Sequence, residues 1–185
     1  MPPMSAEDLT DLDFTQMIRA RPALPEAPVP PDTEIGSLRQ GHAGNFVCYA
    51  RAGMDARPAT ADAPIVVVED DVTTRKLIGK VLASFGYPVR GAADGAQFQQ
   101  LIRRVPLPRL ILLDIELPQI NGFKILTVLR QHPQTSPVPL LMLTARSDSK
   151  DLLHALSLGA DGYLSKPVTV ATLRAVVDRL LRRPS

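Results

Sequence analysis

From residue 65 onward, short runs that are apolar at nearly every position alternate with longer stretches whose apolar residues recur at helical spacing. Ile65, Val66, Val67 and Val68 form one such run; Leu110, Ile111, Leu112 and Leu113 form another. A strand with one face in water alternates apolar and polar residues, so runs like these belong to strands covered on both faces. Five strands are expected, at 65–68, 88–91, 110–114, 138–144 and 162–165. Five helices are expected between and after them, at 72–85, 95–104, 122–131, 149–158 and 169–182. Strict alternation of this kind gives a parallel sheet, because parallel neighbours need a crossover and the crossover helices cover both faces. The fold class is therefore α/β, a doubly wound five-stranded parallel sheet flanked by five helices; 2-1-3-4-5, one of the common orders of such sheets, is the expected strand order.

The helices carry their own signals. The first places Val72, Leu77, Ile78, Val81, Leu82 and Phe85 on one broad face and stops at Gly86, a residue suited to a left-handed cap. The last carries Leu173, Val176, Val177, Leu180 and Leu181.

Residues 1–63 differ from 64–185. Pro22, Pro25, Pro28, Pro30 and Pro31 crowd one stretch, which cannot build helix or interior strand. A mostly irregular, Pro-rich N-terminal arm is expected there, with one short helix over 6–19 capped by Ser5 and one small strand at 46–49. The formal charge of +2 is unevenly spread: residues 1–64 hold nine acidic and five basic side chains, and the remainder ten and sixteen. That contrast suggests an arm that folds back over the domain.

Composition narrows the function classes. A single cysteine, Cys48, excludes an internal disulfide. No apolar stretch is long enough to span a membrane, and no signal pattern opens the chain, so a cytoplasmic protein without a membrane partner is expected. Arg179, Arg182 and Arg183 form the only basic knot, and they suit a helix C-terminus. No direct nucleic-acid contact is expected. No output domain is expected after the last helix, so output should run through a partner protein.

The polar residues at the strand ends carry the chemistry. Glu69 and Asp70 follow the first strand, Asp114 ends the third, Thr144 ends the fourth, and Lys166-Pro167 follow the fifth. Sites in open α/β sheets lie at the carboxyl ends of strands, where strand order reverses. The first and third strands are neighbours in the order 2-1-3-4-5, so the three carboxylates converge. They repel one another, and a hard cation such as Mg²⁺ would hold them ionised. Asp70 and Asp114 are expected to bind it directly, Glu69 through a water, with a backbone carbonyl from Glu116. Asp114 would then be a nucleophile toward phosphorus. Lys166 would neutralise the phosphoryl oxygens, and Thr144 would donate a hydrogen bond to one of them. Each residue alone has an ordinary explanation, as turn aspartate, strand-end hydroxyl or solvated lysine. Their joint placement at the ends of four strands is what argues for one site.

The ordered set Val67-Val68-Glu69-Asp70-Asp71 with Arg75, Leu112-Leu113-Asp114, Leu117-Pro118, Asn121-Gly122, Leu143-Thr144-Ala145 and Gly159-Ala160-Asp161-Gly162-Tyr163-Leu164-Ser165-Lys166-Pro167 resembles the receiver domain of two-component response regulators. It resembles the single-domain type, here with an N-terminal extension. The resemblance covers residues 65–182 and implies a flavodoxin-like fold. It implies phosphorelay signalling, with Asp114 accepting a phosphoryl group from a histidine kinase or histidine phosphotransfer protein. Glu69 and Asp70 become the acidic pair, Thr144 the switch hydroxyl, Tyr163 the switch aromatic and Lys166 the phosphoryl-contacting lysine. The surface of the fourth helix, fifth strand and fifth helix would switch to control a downstream protein effector, or pair in a phosphorylation-dependent homodimer. Such a protein is no enzyme beyond its own phosphotransfer and autodephosphorylation. Two other classes compete: a phosphorylation-independent binding module, which loss of a key residue would favour, and an Asp-nucleophile phosphatase with Glu116 as its second acid. A Glu116–Arg146 ion pair across the site mouth is a further expectation, motivated by opposite charges two residues after Asp114 and Thr144.

Overall fold

The computed structural model describes residues 40–41, 44–48, 62–145 and 149–181, with side chains described over 62–145 and 150–181. The strands are β1 (Gln40–Gly41), β2 (Gly44–Cys48), β3 (Ile65–Val68), β4 (Val89–Ala92), β5 (Leu110–Asp114), β6 (Leu140–Thr144) and β7 (Gly162–Ser165). The helices are α1 (Val72–Ser84), α2 (Gly95–Ile102), α3 (Gly122–Gln131), α4 (Ser149–Ser157) and α5 (Val170–Leu181). Strands β4, β3, β5, β6 and β7 lie side by side in that order, all parallel, which is the expected order 2-1-3-4-5.

Alternation along each strand divides the core in two. Val66, Val68, Ile111 and Leu113 pack with Phe98 of α2 and Ile125 of α3 on one face. Val67 and Leu112 pack with Ile78 and Leu82 of α1 and Val176 of α5 on the other. Every residue of β3, β5, β6 and β7 is buried, which is why Ile65–Val68, Leu110–Leu113 and Leu140–Leu143 read as unbroken apolar runs. Burying one such side chain contributes about 1.5–3 kcal/mol. The α1 face is narrower than expected: Ile78 and Leu82 are buried, whereas Val72 and Leu77 are exposed. Leu77 is offset by about 100° around the helix from the line of Ile78 and Leu82, so it points to solvent.

Loops at the carboxyl ends of the strands start helices through side-chain caps. Asp71 accepts the Thr74 amide at 2.6 Å, Asp94 that of Gln97 at 2.7 Å, and Asn121 that of Phe123 at 2.8 Å. The Thr74 backbone bond, with help from its side chain, holds the Asp71 carboxyl below its ordinary range. Gly86 takes φ 87°, the left-handed cap its position calls for.

The opposite end of the sheet is pinned by Arg130 on α3. Its guanidinium donates to the carbonyls of Gly159, Ser136 and Val138 and meets Asp161 at 2.7 Å. Asp161 also accepts the Leu140 amide at 2.8 Å.

The arm contributes two strands to this sheet. β2 runs antiparallel to β7, pairing Phe46 with Leu164, Val47 with Tyr163 and Cys48 with Gly162, and β1 pairs with β2 beyond it. The sheet is seven-stranded, with the five parallel strands as its body. The small strand expected at 46–49 is found at 44–48. The helix expected over 6–19 and the Pro-rich stretch lie outside the described residues. Among the described residues no helix is long and apolar enough to cross a membrane.

Candidate phosphoryl-acceptor site

Pairing of β3 with β5 aligns Val68 with Leu113, so Glu69 and Asp114 leave the sheet side by side. Carboxylate oxygens of Glu69, Asp70 and Asp114 all lie within 4.8 Å of one another. Glu69 is 0 % and Asp114 2 % exposed, whereas Asp70 faces solvent. Arg75 Nη1 donates to the Glu69 and Asp70 carbonyls, holding the acidic turn from its backbone side. The sequence marks Arg75 only by its place on the first turn of α1, six residues after Glu69.

Pairing of β6 with β7 aligns Thr144 with Ser165, and the next amide, Lys166 N, donates to the Thr144 carbonyl at 2.7 Å. The Lys166–Pro167 peptide is cis. Lys166 Nζ lies 2.7 Å from Asp114 Oδ2 and 2.7 Å from Glu69 Oε2, bridging two buried carboxylates. The contact to Asp114 is a hydrogen bond; that to Glu69 is an ion pair off hydrogen-bond alignment. Burial pushes the Glu69 carboxyl above its ordinary value and the Asp114 charge adds to this, while Lys166 opposes both. Burial alone would lower the Lys166 ammonium, but its bonds to Asp114 and Glu69 hold it above the ordinary lysine value.

The turn after β5 is shaped by close approach. Gly122 N donates to the Ile115 carbonyl at 2.9 Å, and a Cβ at Gly122 would sit 2.1 Å from the Asp114 carbonyl oxygen. Asn121-Gly122 is thus what lets α3 start against the backbone of Asp114. The Glu116 amide approaches Asp114 Oδ1 at 3.3 Å, and the Glu116 side chain is exposed. Arg146 lies outside the described residues, so the expected Glu116–Arg146 pair does too.

The fold brings Glu69, Asp70, Asp114 and Lys166 together. Thr144 is buried one strand away, joined to Lys166 through its carbonyl. Tyr163 is not at the carboxylates. It is buried mid-strand on β7 and belongs to the core on the α2–α4 side.

The donor set suits Mg²⁺. The ion prefers hard oxygens, and two direct ligands in its octahedral shell stand about 3–4 Å apart. Three carboxylate ligand atoms fall within 4.8 Å, and Glu69 Oε1 is a buried oxygen with no hydrogen-bond donor among the described residues. A carboxylate oxygen buried without a donor is costly unless a cation or an ordered water answers it.

A family model described as the response regulator receiver domain matches residues 65–178. The chain is 39 % identical over 119 residues to the DNA-binding dual master transcriptional regulator RpaA of Synechocystis, covering 64 % of this chain and 49 % of that protein. It is 39 % identical over the same length to the transcriptional regulatory protein GltR of Pseudomonas aeruginosa, with the same coverage. The chain therefore spans about half the length of the curated relatives it matches. Among solved structures, the receiver domain of a sensor histidine kinase from Pseudomonas aeruginosa is 31 % identical, with a TM-score of 0.58 over 64 % of this chain and 97 % of that one. That structure has a magnesium ion coordinated in its active-site cleft. A chemotaxis response regulator of Vibrio cholerae is 28 % identical, with a TM-score of 0.60 over 64 % of this chain and 98 % of that one.

Proposed function

Since the chain belongs to the response regulator receiver family, we propose that it takes a phosphoryl group onto Asp114 from a phosphohistidine on a histidine kinase or histidine phosphotransfer protein. One observation carries this reading: Asp114 is buried at a strand end among two other carboxylates, with a single ammonium, Lys166, bridging it to Glu69. Residues 64–185 form the receiver and residues 1–63 its arm.

In the transfer, an Asp114 carboxylate oxygen forms a bond to phosphorus while the bond from phosphorus to the donor's ring nitrogen breaks and its electron pair returns to the ring. Asp70, Asp114, the Glu116 carbonyl and, through a water, Glu69 would hold Mg²⁺, which would supply positive charge to the transferring oxygens. Lys166 exchanges its carboxylate partners for a phosphoryl oxygen. The Thr144 hydroxyl donates to another.

These moves displace the loop after β6 and the end of β7, and Tyr163 turns into the space they leave. The α4–β7–α5 surface then changes its affinity for a downstream protein effector or a second copy. The chain matches about half of the DNA-binding regulator RpaA, and the family model it matches is the receiver domain, so the partner of this surface is a protein and not nucleic acid. The protein is a cytoplasmic phosphoacceptor whose chemistry is confined to its own phosphotransfer and autodephosphorylation.

Incubation of the full chain with Mg²⁺ and acetyl phosphate, beside Asp114→Asn, tests the reading. The chain has no Trp to report quenching, so mass spectrometry is the readout. Acid-labile phosphate on the wild type and none on the variant is the expected result. A folded wild type that binds Mg²⁺ and takes no phosphate overturns it.

A further inference from the structure

An open parallel sheet has two edges, each a row of unpaired N–H and C=O groups. Here they differ. At the β4 edge Arg90 and Gly91 are exposed, a charged and interrupted strand that discourages pairing. At the other side Gly162, Tyr163, Leu164 and Ser165 are all buried and carry no charge. Left open, β7 would be an uncharged strand ready to accept another. The chain's own β2 takes that place, in register over three residue pairs, and lies beside α5.

The opposite side of β7 leads to the acceptor site. Tyr163 pairs with Val47 of the arm on one side and with Met142 of β6 on the other. One residue past β7, Lys166 holds Asp114 and Glu69. A strand of four residues thus joins the arm's ladder to the ammonium that must change partners when Asp114 is modified. The ladder is short, and a two-stranded hairpin has little stability of its own, so β2 stays in place only while β7 keeps a matching edge.

We propose that the β1–β2 hairpin is a self-supplied strand guarding the β7 edge, and that a phosphoryl group on Asp114 loosens it. This rests on Asp114 being the acceptor. The direction follows from the ladder's reference state. β2 matches β7 as it stands with Lys166 bridging two carboxylates, and withdrawal of Lys166 to a phosphoryl oxygen alters that edge. Loosening opens the edge to strand addition by another chain. By linkage, the factor by which the phosphoryl group weakens β2 docking is the factor by which release of β2 strengthens binding at the site.

Hydrogen exchange on the full chain in Mg²⁺, with and without beryllium fluoride as a non-covalent phosphoryl mimic, tests this. Amides of residues 44–48 are expected to be protected without the mimic and to exchange at least fivefold faster with it. Successive strand residues point their N–H groups to opposite sides, so one of residues 46 and 47 must donate toward β7. The double variant Phe46→Pro/Val47→Pro is therefore expected to bind beryllium fluoride at least fivefold more tightly, read by fluorine NMR. Protection of 66–68 and 111–113 reports that its sheet is intact; should it be lost, the wild-type exchange result alone decides. Amides 44–48 that are unprotected in both states, or equally protected in both, overturn the coupling. An intact double variant with unchanged or weaker affinity overturns it too. If beryllium fluoride fails to bind the folded wild type and Asp114 takes no phosphate, the acceptor reading fails and the coupling with it; binding without any change at 44–48 removes the coupling alone.

Discussion

Replacing Asp114 by Asn should abolish phosphorylation and, in metal-free solution, make the protein more stable. The Lys166 ammonium at 2.7 Å attracts the Asp114 carboxylate by about 6 kcal/mol at an effective dielectric near 20. Glu69, with a ligand oxygen no more than 4.8 Å away, repels it by roughly 3–4 kcal/mol on the same scale. Exposed Asp70 adds only about 1 kcal/mol once water screens it. These Coulomb contributions cancel to within about 2 kcal/mol, and the amide oxygen of an asparagine still accepts from Lys166. What remains is the dehydration of a carboxylate that is 2 % exposed, a cost of several kcal/mol per ion that Asp114→Asn removes. A net gain of about 1–3 kcal/mol follows, or ~3–10 °C in Tm for a domain of this size. Thermal unfolding in chelator, compared with the same scans in saturating Mg²⁺, measures it. Mg²⁺ should narrow the gap, because the wild type gains more from the ion than a variant lacking one ligand. A variant as stable as the wild type in chelator, or less stable, would refute the argument and show that the Lys166 bond outweighs dehydration and repulsion together.

Three further outcomes are expected. Gly122→Ala forces a Cβ to within 2.1 Å of the Asp114 carbonyl oxygen, so it should cost about 2 kcal/mol or more in urea unfolding and slow acetyl-phosphate labelling at least tenfold. Lys166→Met leaves Glu69 and Asp114 buried without a cation; in chelator at neutral pH it should be destabilised by about 3 kcal/mol, with part of the loss recovered on acidification, as urea titrations at pH 5 and 7 would report. Folding raises the Glu69 carboxyl, chiefly by burial, so its protonation contributes stability that is full below the ordinary 4.5 and lost as pH rises through the folded value. Protons and Mg²⁺ therefore compete at Glu69, and Mg²⁺ affinity by calorimetry should fall on acidification with a midpoint above 4.5.

The five-stranded body was legible because burial on both faces leaves its mark at every position of β3, β5 and β6. Element ends were less so. Strand β6 begins at Leu140 because Pro139 has no N–H to give and the Val138 amide turns back to the Thr135 carbonyl. Helix α2 stops at Ile102, where Arg104 N turns back to the Leu101 carbonyl. The convergence of Glu69, Asp70 and Asp114 followed from strand order alone, since neighbouring parallel strands end together. The placing of Lys166 between two of them did not, because a flexible side chain leaves no periodic trace. Residues 46–49 showed a strand's composition, yet its partner was hidden: a three-pair antiparallel ladder depends on which edge lies free in space, and the composition of a segment does not encode that.

The Arg130 clamp has a consequence for how the domain can deform. One guanidinium fastens the end of α3 to the backbone entering β6 and β7, through Ser136, Val138, Gly159 and Asp161. At the other pole two buried carboxylates share one ammonium, with a third carboxylate beside them. Strands fixed at their starting ends and crowded by like charge at their finishing ends should pivot about the anchored base, as reeds do. The largest excursions then fall on the tips that carry Thr144 and Lys166, and a small rearrangement of charge there becomes a change in surface shape without loosening the core beneath it.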